Sequence, residues 1–436
     1  MGLASSLNAG VMGLNVNATK LNTISDNIAN SETFGYKRAD AQFSSMVLDQ
    51  SAGTYTAGGV RSATFKDVAA QGALLGTNNS TDISVSGGGL LPVTSVQGVN
   101  NASGDRPLLL TPTGSFATDQ DGLLRTLSGL YLMGWPANPD GTVSVPGRDS
   151  PAGLEPVNVL RNQFAAAPTS NISLGVNVPS TETRAGAAGA TFDLPIAYFD
   201  NLGASQTLTV TFEPSIPPTG SSNTWRVSFF DQAGDPTTAV AQVDITFDDS
   251  QTNGGSIATG GVVPVAGTTY DVDEGTLTIN VASGPIDIEI GSPGDGGPLT
   301  QLAATYSPVG ITKDGAPIGS FDRVEIDDNG RLQAIFDNGF RRTIYQIPIA
   351  NVPNPNGLTA VDNQAFELSQ DSGAVFFWDA GTGPVGTTVG FSLVESTTDI
   401  AAELTQLIET QRAYSTNAKV VQTVDEMLQE TTNIKR

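Results

Sequence analysis

Asp327-Asp328-Asn329-Gly330 is the stretch of this chain that comes nearest to a metal loop. A twelve-residue calcium loop needs oxygen ligands at positions 1, 3 and 5, glycine at 6 and a carboxylate at 12. With Gly330 at position 6, Glu325, Asp327 and Asn329 supply the first three, but position 12 is Phe336 and the bidentate ligand is missing. The segment therefore reads as a hairpin turn. Gly87-Gly88-Gly89 has the flexibility of a phosphate cradle but lacks the Lys-Ser/Thr and the helix that would follow one, so it reads as a loop. Asp248-Asp249 are adjacent carboxylates in a chain with 44 acidic residues, and solvation explains them without a shared proton. The chain has no histidine and no cysteine. A Ser-His-Asp triad, a thiolate nucleophile, thiolate metal sites and disulfides are thereby excluded. No catalytic, cofactor-binding or metal-ligating set emerges. A hydrolase using two carboxylates would have to declare itself by a cleft that raises one carboxyl pKa.

The elements around these residues explain them better than chemistry does. Asp328-Asn329-Gly330 and Asp337-Asn338-Gly339 separate three β-prone runs, Val324–Ile326, Leu332–Phe336 and Arg341–Ile347. Asn-Gly between such runs is a strong hairpin signal, and a three-strand meander is expected. Further strand candidates recur through the body, among them Phe192–Ala197, Thr207–Phe212, Trp225–Phe230, Val243–Phe247 and Thr276–Val281. Their spacing predicts sandwiches or barrels.

The two ends differ. Leu7, Leu14, Leu21 and Ile28 recur every seven residues, with Ala4, Val11 and Ala18 three residues before the first three. Near the other end Leu407, Tyr414, Val421 and Leu428 do the same, joined by Leu404 and Ala418. Such heptads predict helices with an apolar seam. Asp399 is the expected N-cap of the second helix, with Glu403 in its acidic first turn, and Lys435 and Arg436 would favour its C-terminal end. An isolated helix of this kind is marginal in water. Each is expected to pair with the other as a coiled coil.

Charge separates ends from body. The chain carries −24 overall. Residues 1–70 sum to zero and 396–436 to −2, which leaves −22 on residues 71–395. Self-repulsion is weakest at the ends, where close packing of copies is least opposed. Clustered basic residues for nucleic acid or for an anionic membrane surface are lacking. No apolar run reaches the ~20 residues of a membrane span, and the first 30 residues do not read as a cleaved signal peptide.

The predicted fold class is mainly β with α-helical termini, the terminal helices pairing, and two β-rich domains of which the outer is inserted in the inner. The Ala/Gly/Ser/Thr-rich residues 165–190 and the Gly/Pro-rich 291–300 mark the breaks. The expected domains are 1–30 with 397–436 (helical assembly domain), 31–75 (connecting segment), 76–165 with 301–396 (inner β domain) and 166–300 (outer β domain).

The terminal residues also carry a resemblance. Ser5-Ser6-Leu7-Asn8-Ala9, then Ile24-Ser25-Asp26-Asn27-Ile28-Ala29-Asn30 and Phe34-Gly35-Tyr36-Lys37, resemble the N-terminal signature of the flagellar rod and hook axial proteins. Ala402-Glu403-Leu404, Gln411-Arg412-Ala413-Tyr414, Asn417-Ala418-Lys419, Asp425-Glu426-Met427-Leu428 and Lys435-Arg436 are similar to that family's closing helix. The stretches 110–124 and 313–355 are similar to the first β domain of its hook members, and the large insert separates those members from the shorter rod proteins. The resemblance implies a non-enzymatic subunit that polymerises with itself into a flexible curved tube joining motor rod to filament and transmitting torque. It implies export without cleavage through the flagellar export apparatus, an extracellular place in the hook, and contacts with a rod protein, a hook cap and a hook-filament junction protein. No cofactor, nucleic acid or membrane insertion is expected. The expected assembly residues are Leu7, Val11, Leu14, Leu21, Ile28, Leu404, Leu407, Tyr414, Val421 and Leu428. The motif residues are Asn27, Ile28, Ala29, Asn30, Gly35, Tyr36, Lys37, Gln411, Arg412, Ala413 and Tyr414. The alternatives are another axial protein of the distal rod or the junction, or a secreted β-rich adhesin, which gives no reason for heptads at both ends.

Overall fold

Apolar residues alternate with polar ones through the middle of the chain and recur at helical spacing only at its ends, and the secondary structure follows. A computed structural model describes residues 2–46, 57–99, 106–138, 141–144, 147–162 and 164–434. Helices Gly2–Ala29 and Ile400–Ile434 enclose a succession of β-strands. Lys435 and Arg436 lie outside the described residues. The chain divides into two compact units, residues 1–162, 323–335 and 341–436, and residues 163–322 with 336–340.

In the first unit the central strand is Leu130–Pro136, buried along nearly all its length. It pairs antiparallel with Leu91–Ser95, Leu124–Thr126, Glu155–Pro156 and Arg341–Gln346. Trp135 and Phe377 meet edge to face at 6.3 Å in a core shared with Leu110, Met133, Val352 and Phe366. The turn at Asp327 is a hairpin turn: its carboxylate accepts from the backbone N–H of Asn329 at 3.0 Å and of Arg331 at 2.8 Å. That oxygen is occupied by its own loop. The Gly88 carbonyl accepts from Gly386 N–H at 2.9 Å, so the triple glycine is a loop tied by its backbone to a distant segment.

Two pairings join strands far apart in sequence. Leu74–Gly76 pairs with Ser392–Val394, and Asp82–Ser86 with Thr387–Gly390. They bring the two ends of the chain to one place and deliver both helices side by side. Between the N-terminal helix and these strands, Ala39–Ser45 and Val60–Lys66 form an antiparallel ribbon within the segment expected only as a connection.

The second unit is two sheets around one core. Phe192–Phe199, Ser205–Pro214, Thr224–Asp231, Ala241–Phe247 and Ile257–Ala266 follow one another antiparallel. Ala241–Phe247 alternates buried and half-buried at every residue, the signature of one face on a core. The other sheet contains Asn171–Pro179, Thr268–Asp271, Thr276–Val281, Gly284–Glu289, Leu299–Leu302 and Ser307–Lys313. Trp225, Phe212, Phe229, Ile279 and Val176 are fully buried together. Asp231, also buried, accepts from Tyr198 Oη at 2.7 Å and from Ala282 N–H at 2.8 Å, tying strand to strand. Residues 301–322 were expected in the inner domain. They belong to this unit because Leu299–Leu302 and Ser307–Lys313 both pair with Asn171–Pro179, across the Gly/Pro segment that looked like a boundary.

Candidate assembly site at the paired terminal helices

The two terminal helices pack on each other, running antiparallel: Gly10 lies against Val421, Gly13 against Asn417, and Asn27 against Glu403. The heptad period is right and its phase is not. The seven-residue series that faces inward is Gly10, Asn17 and Ile24 on one helix, with Gly13 and Asn27 beside them. On the other it is Glu403, Thr410, Asn417 and Val424. A Cβ on Gly13 would stand 2.8 Å from Asn417 Nδ2, and one on Gly10 2.9 Å from Val421 Cγ2. Small residues let the backbones approach, and close approach offsets the ~1 kcal/mol that each glycine costs the helix.

The expected seam residues are corrected accordingly. Leu7, Leu14, Leu21 and Ile28 sit three residues out of phase with the buried series, roughly 60° around the helix, and are only half-buried. Val11, Leu404, Tyr414 and Leu428 are exposed, between 36 and 47%. Leu407 is half-buried, and Val421 does reach the partner helix, at Gly10. Ile400, Ile408, Val420 and Met427 extend the exposed apolar surface of the C-terminal helix. The sequence reading took the most apolar stripe for the intramolecular contact. The fold uses a mixed stripe there, with Gly10, Gly13, Asn17 and Glu403 beside buried Val16, Ile24 and Val424, and leaves the leucine-rich one more open.

At the end of the helix pair nearest the strands lies a buried polar knot. Asn27 uses its whole hydrogen-bonding capacity. Its Oδ1 accepts from Ala39 N–H at 2.9 Å and Tyr36 Oη at 3.1 Å, while Nδ2 donates to Ala39 O at 2.8 Å and Glu403 Oε1 at 3.2 Å. Arg38 Nε donates to the same Glu403 oxygen at 2.5 Å, and Arg38 also meets Asp40 at 3.5 Å. Glu403 is fully buried, and its Oε2 has no hydrogen-bond partner among the described residues. Asp399 caps the helix as expected, accepting from Ala401 and Ala402 N–H at 2.9 and 3.2 Å. Glu403 was expected as an acidic first-turn residue and as part of the closing-helix pattern, not as a buried partner of Arg38. Its inward phase with Thr410 and Asn417 was the signal that would have placed it.

The motif residues fall into two groups. Gly35, at φ +73°, donates to Val394 O at 2.8 Å, and a Cβ there would meet Thr113 Cγ2 at 3.0 Å. Tyr36 and Lys37 are buried. Lys37 Nζ donates to Ala70 O, and burial pulls its pKa down to about 8, against a smaller opposite effect of Asp67. Ile28 is half-buried, Ala29 exposed, and Asn30 folds back to donate to Asp26 O at 2.9 Å. Gln411, Arg412, Ala413 and Tyr414, by contrast, all lie on exposed helix surface.

Both groups fall within segments that match known families. Residues 7–37 match the family described as flagella basal body rod protein, and 392–434 the flagellar basal body rod FlgEFG protein C-terminal family. Residues 169–316 match the flagellar basal body protein FlaE D2 domain. The flagellar hook protein FlgE of Brucella suis is 33% identical over 439 residues, covering 100% of both chains. The chain belongs to the flagellar hook protein family. That of Rhizobium meliloti is 31% identical over 441 residues, again covering 100% of both, and that of Escherichia coli 26% over 436 residues, covering 98% of each. The chain is thus a structural subunit of the flagellar hook, and the D2 family match extends to residue 316, past the expected boundary at 300.

Proposed function

We propose that copies of this hook subunit stack helically into a tube whose inner wall is built from the terminal helices, each pair meeting other pairs through its open apolar stripes. The observation that carries this is the phase of the heptads: intramolecular pairing consumes Gly10, Gly13, Asn17, Asn417 and Val424 and leaves Val11, Leu404, Tyr414 and Leu428 exposed. Near-neutral helices pack closely, while the body, with −22, meets its copies through polar contacts weak enough to slide. Such a tube curves and bends while it transmits torque from the motor rod to the filament. A rod protein at its base, a cap during growth and a junction protein at its far end are its partners, and it leaves the cell uncleaved by the flagellar export apparatus to work outside. The domains act as helical assembly domain, inner β domain and inserted outer β domain, and the chain performs no catalysis.

Negative-stain electron microscopy of the full-length chain after salt-induced polymerisation, beside a truncate of residues 31–398, tests this. Curved tubes from the full chain alone are expected. Straight rods would favour a rod role, and tubes from the truncate would remove the terminal helices from the inner wall.

A further inference from the structure

The inward face of the helix pair repeats, and a repeating face does not by itself choose a register. Gly10, Asn17 and Ile24 oppose Glu403, Thr410, Asn417 and Val424, a mixture of small, polar and aliphatic residues at seven-residue spacing on both sides. A slip by one heptad exchanges neighbours within these series, and the aliphatic members Val16, Ile24 and Val424 make contacts with no preferred direction to forbid it. A register mark is firmer when it is also referenced to something outside the two helices. Arg38 is that reference, because it lies on neither helix. Its segment is pinned on both sides: Asn27 holds Ala39 by two bonds, Arg38 N–H donates to Thr397 Oγ1 at 2.9 Å, and Thr397 N–H donates to Tyr36 O at 3.1 Å.

We propose that Glu403, gripped by Arg38 and Asn27, is the positioning residue that sets the axial register of the terminal helix pair. Through that register it sets the phase in which each subunit presents its apolar stripes to a second copy, a consequence that rests on the assembly reading above. The knot is poorly built for stability alone. Glu403 is buried with one carboxylate oxygen unpartnered, and apolar replacement of a buried ion pair is often neutral or stabilising. What a buried polar group at one heptad position does well is exclude other registers, since any slip strands the carboxylate away from its cation.

The cysteine-free chain allows direct measurement. Spin labels at Asn22→Cys and Glu409→Cys, both exposed and on opposite helices, report the inter-helix distance in the full-length monomer at low salt. The parent and Glu403→Gln, which keeps an oxygen for Arg38 and Asn27, are expected to show one narrow distance. The double variant Arg38→Leu/Glu403→Leu should keep its helix content and thermal midpoint yet broaden or split the distance. A slip of one heptad displaces the helices axially by about 10 Å. Glu403→Asp, which keeps charge and helix but withdraws the carboxylate by one methylene, should broaden it as well and serves if the double variant unfolds. A single narrow distance in either variant overturns the proposal. Leu14→Asp leaves the knot intact and should keep the narrow distance while blocking tubes. Tubes from Leu14→Asp would overturn the stripe reading and leave the register assignment standing.

Discussion

Lys37 shows at the residue scale what burial does to a charge. Lys37 is 5% exposed, and burial lowers its pKa to about 8 from 10.5. Below pH 8 it is charged in both folded and unfolded chains, and the folded state bears the full desolvation cost. Between about 8 and 10.5 the unfolded chain binds the proton more tightly, so this residue makes stability rise with pH through that window. At about 1.4 kcal/mol per unit the effect is about 3 kcal/mol. Lys37→Met keeps the buried stem and removes the charge. The stability difference between variant and parent, from urea unfolding at pH 7 and pH 10, should shrink by that order, and a constant difference would mean the amine is not desolvated. Gly13 makes the second case. Gly13→Leu gains about 1 kcal/mol of helix propensity, but its Cβ alone would stand 2.8 Å from Asn417, and overpacking costs about 1–3 kcal/mol. The clash wins, and the far-UV melting midpoint of the helices should fall.

At the scale of elements, changes in the helix pair and in the second unit should act separately. Leu14→Asp should leave the monomer folded, since Leu14 is half-buried outside the inward series. Burying that charge against a neighbour costs about 2 kcal/mol or more, which raises the critical concentration for polymerisation more than tenfold. Sedimentation of polymer against total protein measures it, and an unchanged critical concentration would take Leu14 out of the contact. In the second unit Trp225 is fully buried among residues of both sheets. Trp225→Ala should cost about 3–5 kcal/mol there. Calorimetry should show one transition moved down and the helical signal kept, while a joint shift of every transition would mean that the units do not unfold independently.

At the scale of the whole molecule the uneven charge governs assembly. With −22 on residues 71–395 and zero on 1–70, bodies repel over the ~30 Å Debye length of 0.01 M salt and much less over ~8 Å at 0.15 M. Polymerisation followed by light scattering should therefore accelerate steeply as salt rises across that range. Salt-independent growth would show that body repulsion does not oppose stacking.

The sequence by itself determined the element types. Two Asn-Gly turns marked a meander, the spacing of β-prone runs marked the sandwich strands, and heptads at both ends marked helices. Their side chains carry these periods whatever surrounds them. The missing histidine and cysteine closed off most catalytic chemistry in the same direct way. Phase was another matter. A heptad says that a face will be buried but not against what, and the leucine stripe is the better hydrophobe for either role. Only the tertiary structure decided it. Strand pairings 74–76 with 392–394 and 82–86 with 387–390 set where the helices start, and Arg38 then meets Glu403 across 365 residues of sequence. The extension of the second unit through Asp322 escaped for the same reason. Pairing across a Gly/Pro loop is a fact about distant hydrogen-bonding edges, and no local pattern encodes which edge a strand will find.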